Sequence, residues 1–185
     1  MNQRPPRLPG AIRSLWPLLL PLLAAVAVYH AVGSFGFVNF DDDNYVYDNP
    51  RVTGGLGPDA ARWALTTGHE QVWIPLTWLS LQLDASLWGA EPAGFHLANL
   101  ALHLVATALA WFLARRLCGS VAVATGAALL MAVHPLNVEA VAWVTARKDV
   151  LMATLLLGAA LAWLQAKGVR GLLLSCALAT LAMLA

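Results

Sequence analysis

Four aspartates lie within eight residues in the first third of the chain, and they are the first residues that could do chemistry. They are Asp41, Asp42, Asp43 and Asp48. Adjacent carboxylates repel one another, so such a run is unfavourable unless its charge has a use. One of these carboxylates near a membrane surface could deprotonate a hydroxyl group as a general base. The run could instead be an exposed acidic turn of the kind that Asp and Asn often form.

A cation site is a third possibility for the same run, because Asp and Asn side chains offer oxygen ligands. The pattern of a twelve-residue calcium loop is nevertheless absent, since the run lacks the glycine at position six and the glutamate at position twelve. The sequence therefore predicts no cofactor, and a divalent cation stays an open alternative.

A second group of candidate residues lies in the later part of the chain, and it contains His134, Glu139, Arg147 and Lys148. Arginine and lysine bind phosphate oxygens, so a lipid-linked phosphate at the membrane surface would suit Arg147 and Lys148. His134 and Glu139 would then shape or orient that site. The alternative is a structural ion pair that joins Arg147 or Lys148 to Asp149 or Glu139.

Three polar residues share one face of a strongly apolar segment at 95–117. His96, Asn99 and His103 are spaced i, i+3 and i+7, which places them on the same side of a helix. Polar side chains within a membrane helix usually form hydrogen bonds to neighbouring helices. The two histidines are about two turns, or ~10 Å, apart, which is too far for one metal ion to bridge.

The composition indicates what kind of protein holds these groups. Of the 185 residues, 59% are hydrophobic and 11% are charged, whereas soluble domains have about 45–50% and about 25%. A chain this apolar is typical of a multi-pass membrane protein. The net charge of +1 gives no indication of nucleic-acid binding. Cys118 and Cys176 form neither a disulfide framework nor a metal-binding spacing.

The apolar segments predict an all-α bundle of about five transmembrane helices. The predicted spans are 15–32, 95–117, 121–133, 150–165 and the run from 171 to 185. The first could instead be a signal peptide, since small residues at 25–27 could form a cleavage site. The last run is shorter than the ~20 residues that a spanning helix needs. We therefore expect the chain to be part of a longer protein.

The predicted domain division is a basic segment at 1–14 and a membrane domain at 15–185, with a large loop at 33–93. Within this loop, the stretches 58–67 and 75–88 predict short amphipathic helices. Tryptophans of the loop are expected at the lipid headgroup level, as indole-rich segments often are. These tryptophans are Trp73, Trp78 and Trp88.

Basic residues predict the orientation, because Lys and Arg of short loops collect on the cytoplasmic side. If residues 1–14 are cytoplasmic, then Arg115, Arg116 and the turn at 167–170 are cytoplasmic too. The acidic run and the segment 134–149 then meet on the outer face. This predicts a multi-pass protein of the inner membrane with a cytoplasmic N-terminus.

Four segments together carry a family resemblance. They are FVNFDDDNYVYDNPRV, WIPLTWLSLQLD, FHLANLALHL and HPLNVEAVAWVTARKDVL. In this order they resemble the N-terminal membrane region of the transmembrane and TPR repeat-containing proteins, which belong to the GT-C superfamily of glycosyltransferases. The resemblance implies transfer of a sugar, typically mannose, from a polyprenyl-phosphate carrier to a protein hydroxyl. The implied partners are membrane lipid, the lipid-linked sugar and an acceptor protein, without nucleic acid.

The resemblance also implies roles for individual residues. Asp41 and Asp42 match the acidic pair that is the presumed catalytic centre of the family, and either would be the general base towards the acceptor hydroxyl. The residues implied on the donor side are Arg147, Lys148, His134 and Glu139. Members of the family carry further spanning helices and a TPR array. The alternative function is therefore a non-catalytic membrane anchor or scaffold of a TPR protein, whose acidic loop binds a partner or a cation.

Overall fold

The computed structural model describes residues 15–185, and the predicted basic segment at 1–14 lies outside this range. Within it the fold is all-helical and has no strand, which confirms the predicted fold class. The α-helices are α1 (Trp16–Tyr29), α2 (Pro50–Thr53), α3 (Pro58–Thr66), α4 (Pro75–Trp88), α5 (Pro92–Cys118), α6 (Val121–Val133), α7 (Asn137–Ala142), α8 (Arg147–Gln165) and α9 (Val169–Ala182). A π-helical turn at Asp43–Tyr47 and short 3-10 turns at Val32–Ser34 and His69–Gln71 complete the helical content.

Three helical segments are long and apolar enough to cross a membrane, namely Trp16–Ser34, Pro92–Cys118 and Arg147–Gln165. The chain is therefore a membrane protein. The other two predicted spans correspond to the shorter apolar helices α6 and α9, of 13 and 14 residues. At 1.5 Å per residue these are about 20 Å long, compared with a hydrocarbon core of ~30 Å.

Helix α5 is the central element of the bundle. It has 27 residues and packs against α1, α6 and α8. Gly119 ends it in the left-handed conformation, with φ +68°. The Ser120 hydroxyl then accepts the Val123 N–H at 3.4 Å, which caps α6 after a tight turn. Helix α8 begins at the same end of the bundle as α5, so the starts of both helices meet there.

Residues 35–91 form a helical cap over this end of the bundle, and their apolar core also includes Phe95 of α5 and Val144. Trp78 lies at its centre with none of its surface exposed. Its ring centroid is 4.7 Å from that of Tyr45 and 5.2 Å from that of Trp63. The prediction that Trp78 lies at the lipid headgroup level is therefore wrong, because aromatic partners bury it. The predicted helices at 58–67 and 75–88 are found as α3 and α4.

A buried glycine sets the distance between the end of α4 and the start of α5. A Cβ atom added at Gly94 would lie between 2.3 and 2.6 Å from three side-chain atoms of Trp88. We expect Gly94→Ala to lower the free energy of unfolding by about 1–3 kcal/mol, because Trp88 must move away. Unfolding in detergent micelles measures the change.

Gly126→Ala is the matched control for this prediction. Gly126 is also helical, but no atom lies within 4 Å of an added Cβ. Its replacement is expected to be neutral or slightly stabilising, since alanine favours a helix over glycine. Equal losses of stability in the two variants would contradict the packing argument.

Candidate functional site

Asp42 is fully buried where the chain enters the cap. Its Oδ2 atom accepts the backbone N–H of Val38 at 2.9 Å. Its Oδ1 atom accepts both the backbone N–H and the hydroxyl of Thr145, at 3.0 and 2.6 Å. All three partners are donors, which suits an ionised carboxylate. Asp42 therefore joins the acidic run to a residue 103 positions later in the chain.

Asp41 differs from its neighbour in both exposure and backbone conformation. Its side chain is half-buried, and its φ is +67°. Aspartate is one of the few residues other than glycine that are enriched in this left-handed region, and holding a non-glycine residue there still costs about 1–2 kcal/mol. No ion pair to Asp41 is found within residues 15–185. Strain of this kind is a recognised mark of functional sites when the surrounding structure enforces it.

The other two aspartates belong to the turn that follows. Asp43 begins the π-helical turn, and its Oδ1 atom accepts the N–H of Asn44 at 2.9 Å. Asp48 is exposed at the end of this turn. The acidic run therefore contains one buried carboxylate, one strained and half-buried carboxylate, and two that lie in a local turn.

The loop before the acidic run is held by two further contacts. The indole Nε1–H of Trp143 donates to the Phe40 carbonyl at 3.2 Å. On helix α5, His96 Nε2 donates to the Gly36 carbonyl at 3.2 Å. Together with the bonds to Asp42, these contacts confirm that the acidic run and the segment 134–149 meet at one end of the bundle.

The predicted polar face of α5 is confirmed as a source of hydrogen bonds to its neighbours. The Asn99 amide donates to the Trp143 carbonyl at 3.1 Å, and His103 Nε2 donates to the Ala132 carbonyl at 3.2 Å. With the bond from His96, this face connects α5 to the loop before the acidic run, to α6 and to the segment before α8.

Arg147 is only 1% exposed and is surrounded by acceptors. It forms an ion pair with Asp84 of α4. Its Nε atom donates to Asn99 Oδ1 at 2.7 Å, and its Nη atoms donate to the carbonyls of Phe95 and Ser80 at 2.8 and 3.3 Å. A guanidinium has five N–H groups. These partners occupy most of the N–H groups of the guanidinium, so few are left to bind a ligand. The same contacts fix α8 to α4 and α5.

Asp84 contacts a predicted site residue but is not itself predicted from the sequence. One alternative predicted from the sequence was a structural ion pair of Arg147 or Lys148 with Glu139 or Asp149. In the structure, Arg147 pairs with Asp84 instead. Burial raises the pKa of the Asp84 carboxyl, and the guanidinium of Arg147 opposes that shift. A signal was present, because a carboxylate in the apolar stretch 75–88 needs a partner if it is buried.

Lys148 remains more accessible than Arg147. It is half-buried in the first turn of α8, and no ion pair to it is found in the described part of the chain. The N-terminus of a helix carries a partial positive charge and attracts anions. Lys148 therefore combines a cation outside the described ion pairs with a favourable position for an anionic ligand.

The remaining two predicted site residues lie between α6 and α8, with His134 directly after α6 and Glu139 on α7. His134 is exposed, and its Nδ1 atom accepts the Leu136 N–H at 3.2 Å. Glu139 is also exposed, and with Asp149 it lines a cavity of 270 Å³. Among the described hydrogen bonds and ion pairs, none joins either residue to the aspartate pair or to the arginine. Over residues 15–185, no group of three His, Cys, Asp or Glu side chains could hold a metal ion.

The sequence of the chain is similar to those of proteins named protein O-mannosyl-transferase. It is 40% identical over 135 residues to protein O-mannosyl-transferase Tmtc2 of Drosophila melanogaster, covering 69% of the chain and 14% of that protein. It is 37% identical over 132 residues to Tmtc1 of the same organism, covering 68% and 15%. To TMTC1 of Mus musculus it is 35% identical over 136 residues, covering 66% and 14%. The chain thus spans 14–15% of the length of these relatives. No protein-family model and no solved structure matches it.

Proposed function

Because this chain is homologous to one part of the TMTC protein O-mannosyl-transferases, we propose that it acts in a membrane glycosyltransferase. The proposed reaction transfers a sugar, mannose by analogy with the relatives, from a polyprenyl phosphate to a protein hydroxyl. The observation that carries the proposal is Asp41, a strained and half-buried carboxylate at one end of a membrane bundle. The fixed neighbour Asp42 supports it, since its carboxylate is already occupied by three donors.

In the proposed step, the carboxylate of Asp41 takes the proton of the acceptor hydroxyl. The hydroxyl oxygen forms a bond to the anomeric carbon of the sugar. The bond between that carbon and the phosphate oxygen breaks, and its electron pair passes to the carrier phosphate. Lys148 stabilises the negative charge that develops there, as a fixed cation does best where water is excluded.

Binding of the carrier phosphate was predicted for both Arg147 and Lys148, and in this proposal Lys148 alone binds it. The contacts of Arg147 to Asp84 and Asn99 favour a different task for it, which is to fix the start of α8. His134 and Glu139 keep the proposed role of orienting the substrate, and the cavity beside Glu139 offers space for a ligand group.

The proposed location is the inner membrane, with the cap on the periplasmic side and the N-terminus in the cytoplasm. Support comes from the basic residues at the opposite end of the bundle. Arg115 and Arg116 lie in the last turn of α5. Lys167 lies in the turn between α8 and α9, and Arg170 lies in the first turn of α9. Basic residues of short loops favour the cytoplasmic side.

The full chain, reconstituted in liposomes with labelled mannosyl polyprenyl phosphate and an acceptor protein, tests the proposal. We expect label on the acceptor protein with this donor and none with a sugar nucleotide, because a sugar nucleotide lacks the polyprenyl chain that would hold the donor in the membrane. Absence of transfer from the lipid-linked donor would overturn the proposal. The scaffold alternative would then gain support.

Lys148→Ala is expected to lower kcat/KM for the lipid-linked donor about tenfold or more, because a hydrogen bond to a charged group contributes about 1.5–3 kcal/mol. Steady-state rates over a range of donor concentrations measure the change. Lys167→Ala removes a lysine at the opposite end of the bundle and is the matched control. A value of kcat/KM for the donor that is the same in both variants would remove Lys148 from the donor site.

A further inference from the structure

We infer that Thr145 is a positioning residue for the proposed reaction. It holds the carboxylate of Asp42 and thereby fixes the adjoining backbone, so that Asp41 faces the acceptor hydroxyl. This inference rests on the proposed function and adds to it a residue that neither donates nor accepts the transferred proton.

Thr145 binds one carboxylate oxygen of Asp42 through two donors. Its hydroxyl lies 2.6 Å and its backbone N–H 3.0 Å from Oδ1 of Asp42. A hydroxyl at this distance from a carboxylate forms a short, charge-assisted hydrogen bond, about twice as strong as a neutral one. Thr145 is 2% exposed and its neighbours Val144 and Ala146 are buried as well. Water therefore has little access to Thr145 and Asp42, and it cannot easily replace the hydrogen bonds between them.

The turn at residues 143–147 that carries Thr145 is itself anchored on both sides. Before Thr145, the Trp143 carbonyl accepts the amide of Asn99 at 3.1 Å. After it, the guanidinium of Arg147 is bound to Asp84 and Asn99. Because α4 and α5 hold both ends of the turn, the Thr145 hydroxyl is a fixed point rather than a mobile surface group.

The effect on Asp41 follows from its backbone. Asp41 and Asp42 share a peptide unit, and the strained φ of Asp41 would relax if its neighbour were free. A second contact opposes this relaxation, since the Asp41 carbonyl accepts the N–H of Tyr45 at 2.8 Å. Without the Thr145 hydroxyl, one of three bonds to Asp42 is lost. A displacement of a reacting group by about 1 Å can lower a rate about 10²-fold.

The first test compares two substitutions of Thr145. Thr145→Val keeps the shape and removes the hydroxyl, and we expect kcat to fall by about 10²-fold with the donor KM unchanged. Thr145→Ser keeps the hydroxyl and is expected to restore kcat to within a few-fold of the parent chain. Thr154→Val is the matched control, because the Thr154 hydroxyl donates to the carbonyls of Val150 and Leu102, at 2.7 and 3.1 Å, away from Asp42. It is expected to affect stability without lowering kcat.

The second test does not depend on activity. Asp41→Cys, in a chain in which Cys118 and Cys176 are replaced by serine, is labelled with a soluble maleimide. We expect Thr145→Val to change the labelling rate at position 41 several-fold, and Thr145→Ser to leave it unchanged. The control position is Leu136→Cys, where the parent side chain is 82% exposed and neither change should have an effect.

The two tests separate the inference from the proposed function. If the parent chain transfers no sugar, the proposed function fails, whereas the labelling at position 41 still reports whether Thr145 fixes this residue. If the parent chain is active and Thr145→Val keeps the parent kcat and the parent labelling rate, the positioning role is overturned. A fall in kcat that Thr145→Ser does not rescue would also overturn it.

Discussion

Replacing Arg147 with methionine is expected to lower the free energy of unfolding by about 3–5 kcal/mol, the usual loss when one member of a buried ion pair is removed. The substitution keeps an apolar chain of similar length but leaves the Asp84 carboxylate buried without its cation. Asn99 and the carbonyl of Phe95 lose their donors as well. Unfolding in mixed detergent and SDS micelles, followed by tryptophan fluorescence, measures the loss. Trp78 in the core of the cap provides a signal close to the ion pair.

Two further variants show whether this loss comes from the ion pair. Adding Asp84→Leu to Arg147→Met removes the uncompensated carboxylate, so the double variant is expected to recover much of the lost stability. Arg116→Met alters an exposed arginine at the far end of α5 and is expected to change stability by no more than about 0.5 kcal/mol. If Arg147→Met proved as mild as Arg116→Met, the structural role of Arg147 would be disproved.

Asp41→Asn is expected to reduce the transfer rate by about 10²–10⁴-fold, which is the usual contribution of a general base. Asparagine has nearly the same shape as aspartate but cannot take the proton from the hydroxyl group of the acceptor protein. It also tolerates a positive φ better than most residues, so the backbone at φ +67° should remain as it is. The measurements are the transfer rate in liposomes and the unfolding transition. We expect the rate to fall while the stability stays at the parent value.

Neighbouring aspartates serve as the comparison for this variant. Asp43→Asn changes a residue of the following turn and is expected to keep a rate near that of the parent chain. Asp42→Asn should lower both rate and stability, because an amide nitrogen would face donors that now bind a carboxylate oxygen. Transfer by Asp41→Asn at the parent rate would show that the base is another group.

The helices were largely predictable from the sequence because their signals are local. The stretch 75–88 was predicted as a helix and is α4, Pro75–Trp88. Proline fits the first turn of a helix and marks the starts of α3, α4 and α5. The predicted apolar segment 121–133 coincides with α6 for the same kind of reason, since Ser120 caps it and His134-Pro135 follows it.

The pairing of Arg147 with Asp84 was not predictable in the same way. It depends on how α4, a helix of the cap, packs against the start of α8, and no local pattern encodes that contact. The burial of Trp78 has the same origin, since its partners Tyr45 and Trp63 come from two other segments of the cap. A tryptophan at the membrane surface and one in a core look alike in sequence.

The difference between Asp41 and Asp42 was also beyond the sequence. The two residues are adjacent and chemically identical, so composition and spacing treat them as equivalent. What distinguishes them is a backbone angle at Asp41 and the donors that converge on Asp42. Two of the three donors on Asp42 belong to Thr145, whose place beside the acidic run follows only from the packing of the segment before α8.

The sequence distance between Asp42 and Thr145 has a consequence for biosynthesis. The two residues are 103 positions apart, and at about 5–20 residues per second the ribosome needs roughly 5–20 s to cover that interval. During this time Asp42 has been synthesised, but the hydroxyl that binds it has not. Asp42 therefore lacks its Thr145 donors while α5 and α6 are synthesised. The hydrogen bonds between Thr145 and Asp42 can therefore form only late in biosynthesis, after the segment before α8 has been made.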